Sequence, residues 1–397
     1  MIVGICKETF SGEKRVALVP SVVSPPGKSG LEYVMESGAG LSAGYPDAGY
    51  AEKGVKIVPH RADVFTASDV VAQVRSFGGN PDAGRKDLEM VRRGQVVIGM
   101  CDPLTEADAC LAAAERGATL FAMELIPRTT RAQAMDVLSS QATIAGYKAV
   151  LLAAENLPRI FPMLTTAAGT IKPARVLVIG AGVAGLQAIA TARRLGAVVS
   201  AYDVRAAVKE QIESLGAKFV TLGVEAGDSQ DKGGYAKAMD ENFYKRQREA
   251  MAAVVREQDV VITTAAVPGK KAPILITREM IEGMTSGSVV VDLAAERGGN
   301  CDATQPGRTI QVGGTTLLGP LNLSSSVPFH ASAMYAKNVA TFMKLIVKDG
   351  AFNLNLEDDI VKETLVTHDG KLVHPRVRDA LGAAATAPAG APATANA

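Results

Sequence analysis

Tryptophan is absent from these 397 residues, and aromatic side chains together make up 5%. A chain so poor in rings lacks the stacking platforms that bind single-stranded nucleic acid. Excess charge of one sign is missing too: 42 Lys and Arg stand against 41 Asp and Glu, a formal charge of +1. That balance leaves no electrostatic footprint for a nucleic acid and no polybasic patch for a lipid surface. The four cysteines, Cys6, Cys101, Cys110 and Cys301, form no CxxC pair. Neither a disulfide framework nor a metal site is expected, and the thiols read as small buried apolar groups in a reducing compartment. No run of 18 apolar residues occurs, since Ala149–Ala154 is followed by Glu155 and Arg159. No direct membrane span is therefore expected. The opening Met1-Ile2-Val3-Gly4-Ile5 leads into charged residues rather than a cleavage site, so no secretory leader is expected.

Glycine is plentiful at 39 residues, with 47% hydrophobic and 21% charged residues. This is the balance of a globular chain, long enough for about two to three domains. Short apolar runs alternate with segments of helical spacing, which predicts parallel sheets. One set comprises 2–6, 31–36, 55–58, 69–74, 96–100 and 119–123; a second comprises 175–179, 198–202, 218–221, 259–263, 288–292 and 315–318. Long helices are expected over 131–155 and 331–348. The fold class is α/β, two Rossmann-like doubly wound domains with a nucleotide cleft between them. The expected domains are 1–140 with 328–380, then 141–327 as the dinucleotide domain, and a disordered Ala/Pro tail over 381–397.

The sharpest motif follows the run Arg175–Ile179. Gly180-Ala181-Gly182-Val183-Ala184-Gly185 is a GxGxxG between a predicted strand and a predicted helix. Its glycines permit a tight turn, close approach of a pyrophosphate, and close strand–helix packing, with the phosphates on the helix N-terminus. Asp203 ends the next predicted strand, 23 residues after Gly180. A carboxylate there accepts from ribose hydroxyls and repels a 2′-phosphate, so NAD(H) is expected rather than NADP(H). Val204 and Arg205 follow it. Thr264, Ala265 and Val267, after the run 259–263, are expected on the nicotinamide–ribose side.

Arg128, Gln133, Asp136 and Ser139 form an unusually polar entry to a long helical stretch. Residues three apart share a helix face, so Gln133, Asp136 and Ser139 read either as partners for a carboxamide or as a solvated first turn with a favourable N-terminal charge. The segment 225–242 is long and polar, with Gly233-Gly234 ahead of a single aromatic, Tyr235. It reads either as a lid or as a plain surface loop.

These residues resemble the NAD(H)-binding component of proton-translocating nicotinamide nucleotide transhydrogenase, a family related to alanine dehydrogenase. The likeness runs from Ile2 to about Pro375. It is carried by Lys7-Glu8 through Arg15-Val-Ala-Leu-Val-Pro20, by Met123-Glu124-Leu-Ile-Pro-Arg128 into Arg131-Ala-Gln133-Ala-Met-Asp136, by Gly180–Gly185, by Val204-Arg205 through Gln211, by Gly233-Gly234-Tyr235-Ala236-Lys237, and by Asp292 through Asn300-Cys301. The resemblance implies that Arg128, Gln133, Asp136 and Ser139 hold the nicotinamide end, with the first three at the reacting centre, and that Tyr235 rides a loop closing over nucleotide. It implies a homodimer, a partner domain carrying NADP(H), a membrane-spanning partner, and a peripheral place on the cytoplasmic face of a bacterial inner membrane. The length matches the form of the enzyme in which this component is a separate chain. Ser24-Pro25-Pro26-Gly27 departs from the family's early helix turn, away from any proposed site.

An amino-acid dehydrogenase must move protons as well as hydride. By similarity, the Lys that the alanine dehydrogenase branch uses falls at Arg75, its His near Asp102, and its catalytic Asp at Glu296; Arg15 occurs in both branches. The only histidines are His60, His330, His368 and His374, and His330 reads as a helix-opening residue. Hydride transfer between two nicotinamides needs apposition and no general acid or base. The sequence therefore reads as a transhydrogenase subunit, with a soluble alanine dehydrogenase-like enzyme and a non-catalytic NAD-binding scaffold as alternatives.

Overall fold

Runs rich in Val and Ile become strands that are buried on both faces, as parallel strands covered by helices must be. The computed structural model describes residues 1–24, 30–223, 239–266 and 271–386. The chain divides into two compact units, Met1–Leu138 with Pro328–Ala397, and Ser139–Val327.

In the first unit, β1 (Ile2–Ile5), β2 (Glu32–Glu36), β3 (Lys56–Val58), β4 (Val70–Arg75), β5 (Val96–Met100) and β6 (Thr119–Ala122) lie in the order 3-2-1-4-5-6. All pair in parallel; two antiparallel strands, Leu365–His368 and Lys371–Leu372, extend the sheet beyond β6. The helix Pro328–Ile346 covers this sheet. Its Tyr335, Val339, Phe342 and Ile346 recur every three or four residues and are fully buried, one apolar stripe against the core. Phe342 meets Phe121 edge to face with ring centroids 5.2 Å apart, and the Tyr335 hydroxyl donates to the Gln73 carbonyl at 2.9 Å.

In the second unit, the hairpin strands β7 (Leu164–Thr166) and β8 (Gly169–Ile171) precede a larger sheet. That sheet contains β9 (Arg175–Ile179), β10 (Val198–Tyr202), β11 (Lys218–Phe219), β12 (Val260–Thr263), β13 (Val289–Asp292), β14 (Thr309–Val312) and β15 (Thr315–Leu318). The order is 11-10-9-12-13-15-14, parallel except for β14. Both sheets thus start in the middle, wind outward on one side, and return to the other side of the first strand. The helix Val137–Asn156 is long and apolar enough to cross a membrane. Its Ala149, Val150 and Ala153 instead pack into the core of the second unit.

Several expectations need correction. The helix expected from residue 131 begins at Val137, because Gln133–Met135 forms a 3-10 turn and Asp136 leaves helical geometry at ψ 94°. The hairpin β7–β8 and the strands β14, Val347–Lys348, Ala351–Phe352, Leu365–His368 and Lys371–Leu372 are additional to the expected ones. Most are two to four residues long, too short for alternation to register. The helix Pro375–Thr386 carries the chain into the stretch expected to be tail; residues beyond it lie outside the described ones. All four cysteines are buried and free.

Charged groups gather at the C-terminal ends of β1 and β4, where the winding reverses. Arg15 donates to both oxygens of Glu13, Nε at 2.7 Å and Nη2 at 2.6 Å, with both side chains buried. Arg75 lies 3.5 Å from Glu13 and over the Phe10 ring at 4.2 Å. Burial pushes the Glu8 carboxyl up to about 7, helped by the charge of Glu13 and opposed by hydrogen bonds from Val74 N and Arg75 N. Burial likewise pushes Glu124 up to about 7, although its Oε1 accepts from Cys101 N at 2.8 Å and Asp102 N at 2.6 Å.

Acids raised in the folded state are most favourable to folding when protonated. Their contribution is complete below the ordinary value of 4.5 and is lost as the pH rises through about 7. Stability to urea is therefore expected to fall between pH 5 and pH 7.5, and Glu124→Gln should flatten that fall. An identical loss in wild type and variant would refute the assignment to Glu124.

Candidate dinucleotide site

The carbonyl of Gly180 defines the tightest point of the second unit. Strand β9 ends in fully buried Val178 and Ile179, and Gly180 turns the chain at φ +97°, a region that glycine reaches without strain. The helix Val183–Arg194 starts at once, with Gly182 as its N-cap. A Cβ on Gly185 would stand 1.8 Å from the Gly180 carbonyl oxygen, so only glycine allows the helix to sit this close to the strand. A Cβ on Gly182 would meet no atom of the described residues within 4 Å. Nothing among those residues thus demands glycine at position 182. Close approach of an outside group does, which is what a pyrophosphate over this turn requires. The first N–H groups of the helix carry about half a positive charge toward the same point.

The topology converges here. The winding reverses between β9 and β12, the position at which open α/β sheets bind ligands. Thr264, just past β12, donates from Oγ1 to the Gly180 carbonyl at 2.9 Å, and its N–H donates to Ile179 O at 2.8 Å. Asp203, at the end of β10, is buried and accepts from Ala181 N at 2.7 Å. Arg205 folds back on the same carboxylate. The fingerprint residues 180–185, Asp203 to Arg205, Thr264 and Ala265 are thus one hydrogen-bonded neighbourhood. Ser139 belongs to this unit on the helix Val137–Asn156, whose Gly146 lets it approach Ala184: a Cβ there would fall 2.1 Å from the Ala184 carbonyl oxygen.

Two residues outside the expected site hold this neighbourhood in shape. Asp292, fully buried at the end of β13, accepts from Thr263 Oγ1, Ala294 N, Asn300 N, Cys301 N and Thr304 Oγ1 at 2.6–3.0 Å. A buried carboxylate without a cation is tolerable when its lone pairs are filled in this way. It fixes Asn300, whose Oδ1 accepts from Ala265 N at 3.0 Å and whose Nδ2 donates to Ala265 O at 2.8 Å and Pro273 O at 2.9 Å. Asn300 therefore clasps the two shoulders of the loop after β12. The available signal was Asp292, an acid directly after three valines at a strand end.

In the first unit, Arg128, Gln133 and Asp136 lie on the segment after β6. Buried Ala132, Met135 and Val137 pin this segment, and Asn338 Nδ2 donates to Ala134 O at 2.8 Å from the helix Pro328–Ile346. Arg128 and Gln133 are exposed on it. Gln133 and Asp136 precede the helix that carries Ser139, so the three do not share a helix face. Arg131 is taken up in a bidentate pair with Asp358 at 2.6 and 2.7 Å, which holds the Asp358 carboxyl below its ordinary range. Tyr235 and Val267 lie outside the described residues. Among the described residues, no group of three His, Cys, Asp or Glu is arranged to hold a metal.

Replacing the clasp leaves buried backbone groups unpaired. Asn300→Ala is expected to cost about 2–4 kcal/mol in urea denaturation. A loss under about 0.5 kcal/mol would show that the loop holds itself.

Residues 4–145 match the family model described as Alanine dehydrogenase/PNT, N-terminal domain, and residues 149–375 match Alanine dehydrogenase/PNT, C-terminal domain. An NAD(P) transhydrogenase subunit alpha chain of Rhodospirillum rubrum is 46% identical over 378 residues, covering 94% of this chain and 98% of that one. The crystal structure of transhydrogenase from Sinorhizobium meliloti superposes with a TM-score of 0.83 at 46% identity, over 94% of this chain and 100% of that chain. The alanine dehydrogenase of Halomonas elongata is more distant, 28% identical over 96% of this chain and 97% of its own. With both halves of the family matched along the chain, the protein belongs to the alanine dehydrogenase/PNT family.

Proposed function

We propose that this protein is the NAD(H)-binding subunit of a proton-translocating NAD(P) transhydrogenase, passing hydride from NADH to NADP+ held on a partner domain. The observation that carries NAD(H) binding is the fingerprint turn at the β9/β12 reversal, with the space beside Gly182 clear of every described residue. The high identity to transhydrogenase alpha subunits supports the reaction. When bound, the dihydronicotinamide supplies the hydride. The turn at Gly180–Gly185 receives the pyrophosphate and Asp203 receives the adenosine ribose. Thr264 and Ala265 wall the nicotinamide–ribose side. Arg128, Gln133, Asp136 and Ser139 orient the carboxamide, and Tyr235 closes over the nucleotide. No group of this chain needs to hold or move a proton for that step; positioning alone sets its rate.

The groups at the head of β1 and β4 argue against a self-contained alanine dehydrogenase. Arg15, the cation suited to a substrate carboxylate, is clamped bidentately by buried Glu13, and Arg75 rests on Phe10. The histidines lie on other elements. His60 precedes the helix Arg61–Ala67 and His330 sits in the first turn of Pro328–Ile346. His368 bonds Thr119 at the start of β6, and His374 is buried beside Glu363.

A membrane-spanning partner carries the proton, and this subunit sits peripherally on the cytoplasmic face of the inner membrane as a homodimer. The hairpin β7–β8 supports the dimer. Every residue of both strands is exposed, Met163, Leu164 and Ile171 among the large apolar side chains at the surface, and a lone two-stranded hairpin is marginal in water.

Added to membranes stripped of their own NAD(H) component, the protein should restore reduction of an NADP+ analogue by NADH. Binding of NADH without any restored transfer would leave the scaffold reading standing, and alanine-dependent NAD+ reduction would favour the dehydrogenase. Gln133→Asn should slow transfer about tenfold or more while changing the NADH dissociation constant little; an unchanged rate removes Gln133 from the reacting centre. Paired Leu164→Asp and Ile171→Asp substitutions should halve the mass seen by light scattering, and an unchanged mass would refute the hairpin as the dimer arm.

A further inference from the structure

Asp203 offers the carboxylate that a ribose diol would need, yet it is already fully engaged. A carboxylate has two oxygens and about four lone-pair directions. Four N–H donors of this chain fill them: Ala181 N on Oδ2 at 2.7 Å, Arg205 N on Oδ1 at 2.9 Å, Arg205 Nε on Oδ1 at 2.9 Å, and Arg205 Nη2 on Oδ2 at 2.8 Å. The two backbone donors fix where the carboxylate sits. The guanidinium fork takes what is left, and the pair is well shielded, with side-chain exposures of 12% for Arg205 and 5% for Asp203.

We infer that the Arg205 guanidinium is a latch on Asp203 that the adenosine ribose must displace, and that it sets how sharply the site discriminates against a 2′-phosphate. The inference rests on the proposed NAD(H) binding at this turn. Two hydroxyls of the ribose take the places of Nε and Nη2, while Ala181 N and Arg205 N keep the carboxylate in position. The released cation must be resolvated or find other acceptors, so part of the gross binding energy goes into opening the latch. Apparent affinity is lowered by the fraction of molecules that are closed. The same cation tempers the repulsion between Asp203 and a 2′-phosphate. Its presence makes the acid less exclusive than a bare carboxylate at this position would be.

The sign of the effect separates a latch from a support. A residue that held the carboxylate in place for the ribose would weaken NADH binding when removed. A latch would strengthen it. Arg205→Ala is expected to tighten NADH about fivefold and to weaken NADPH, widening the ratio of the two dissociation constants about tenfold or more. Titration of the full-length protein by nucleotide fluorescence reads both. Arg205→Met keeps the side-chain length without the fork and should move both constants in the same directions, which covers failure of the Ala variant to fold. Weaker or unchanged NADH binding in the variants, with wild type binding NADH, would overturn the latch alone. A wild-type protein that took up no NADH would overturn the nucleotide reading and the latch together.

Discussion

The carbonyl oxygen of Gly180 and the missing Cβ of Gly185 form the contact on which the second unit depends. That carbonyl stands where any other side chain at position 185 would begin, and it also accepts from Thr264 Oγ1. One oxygen therefore joins the first strand, the helix that follows it and the strand across the winding reversal. The positive end of the helix is brought to the C-terminal edge of the sheet with little freedom of direction. Interiors packed to crystal density transmit such a constraint rather than absorb it.

Around this contact the protein uses buried carboxylates as connectors, in three electrostatic settings. Asp292 has no cation and is filled by five donors, three of them backbone N–H groups, so it binds the loops after β12 and β13 into one body through Asn300. Asp203 shares its charge with Arg205 in a shielded pair that an entering diol can exchange. Glu8 and Glu124, in the first unit, are pushed up to about 7 by burial. The first arrangement is rigid, the second exchangeable and the third sensitive to pH near neutrality. Burial and donor supply, rather than residue type, separate them.

Much of this is legible in the chain order. The valine and isoleucine runs of the central strands announce themselves because parallel strands are apolar on both faces. The GxGxxG and the acid 23 residues on lie in one short stretch of chain, so spacing alone brings them to notice. The polar segment from Arg128 to Ser139 is also visible, but its shape is not. Buried Ala132 and Met135 pull residues 133–135 into a 3-10 turn, and Asp136 breaks the periodicity that would have aligned Gln133 with Ser139. The short antiparallel strands leave no trace in the pattern because two or three residues carry no period.

Local patterning by itself determined the α/β class, the strand–turn–helix at Gly180, and the acid at the end of the next strand, because each is a relation among neighbours in sequence. Tertiary structure alone decided that Asn300 reaches back 35 residues to Ala265, that Asp292 is satisfied without a cation, and that Arg205 closes on Asp203. Those outcomes turn on hydrogen-bond directions and burial. Neither quantity exists until the loops after β10, β12 and β13 meet at one edge of the sheet.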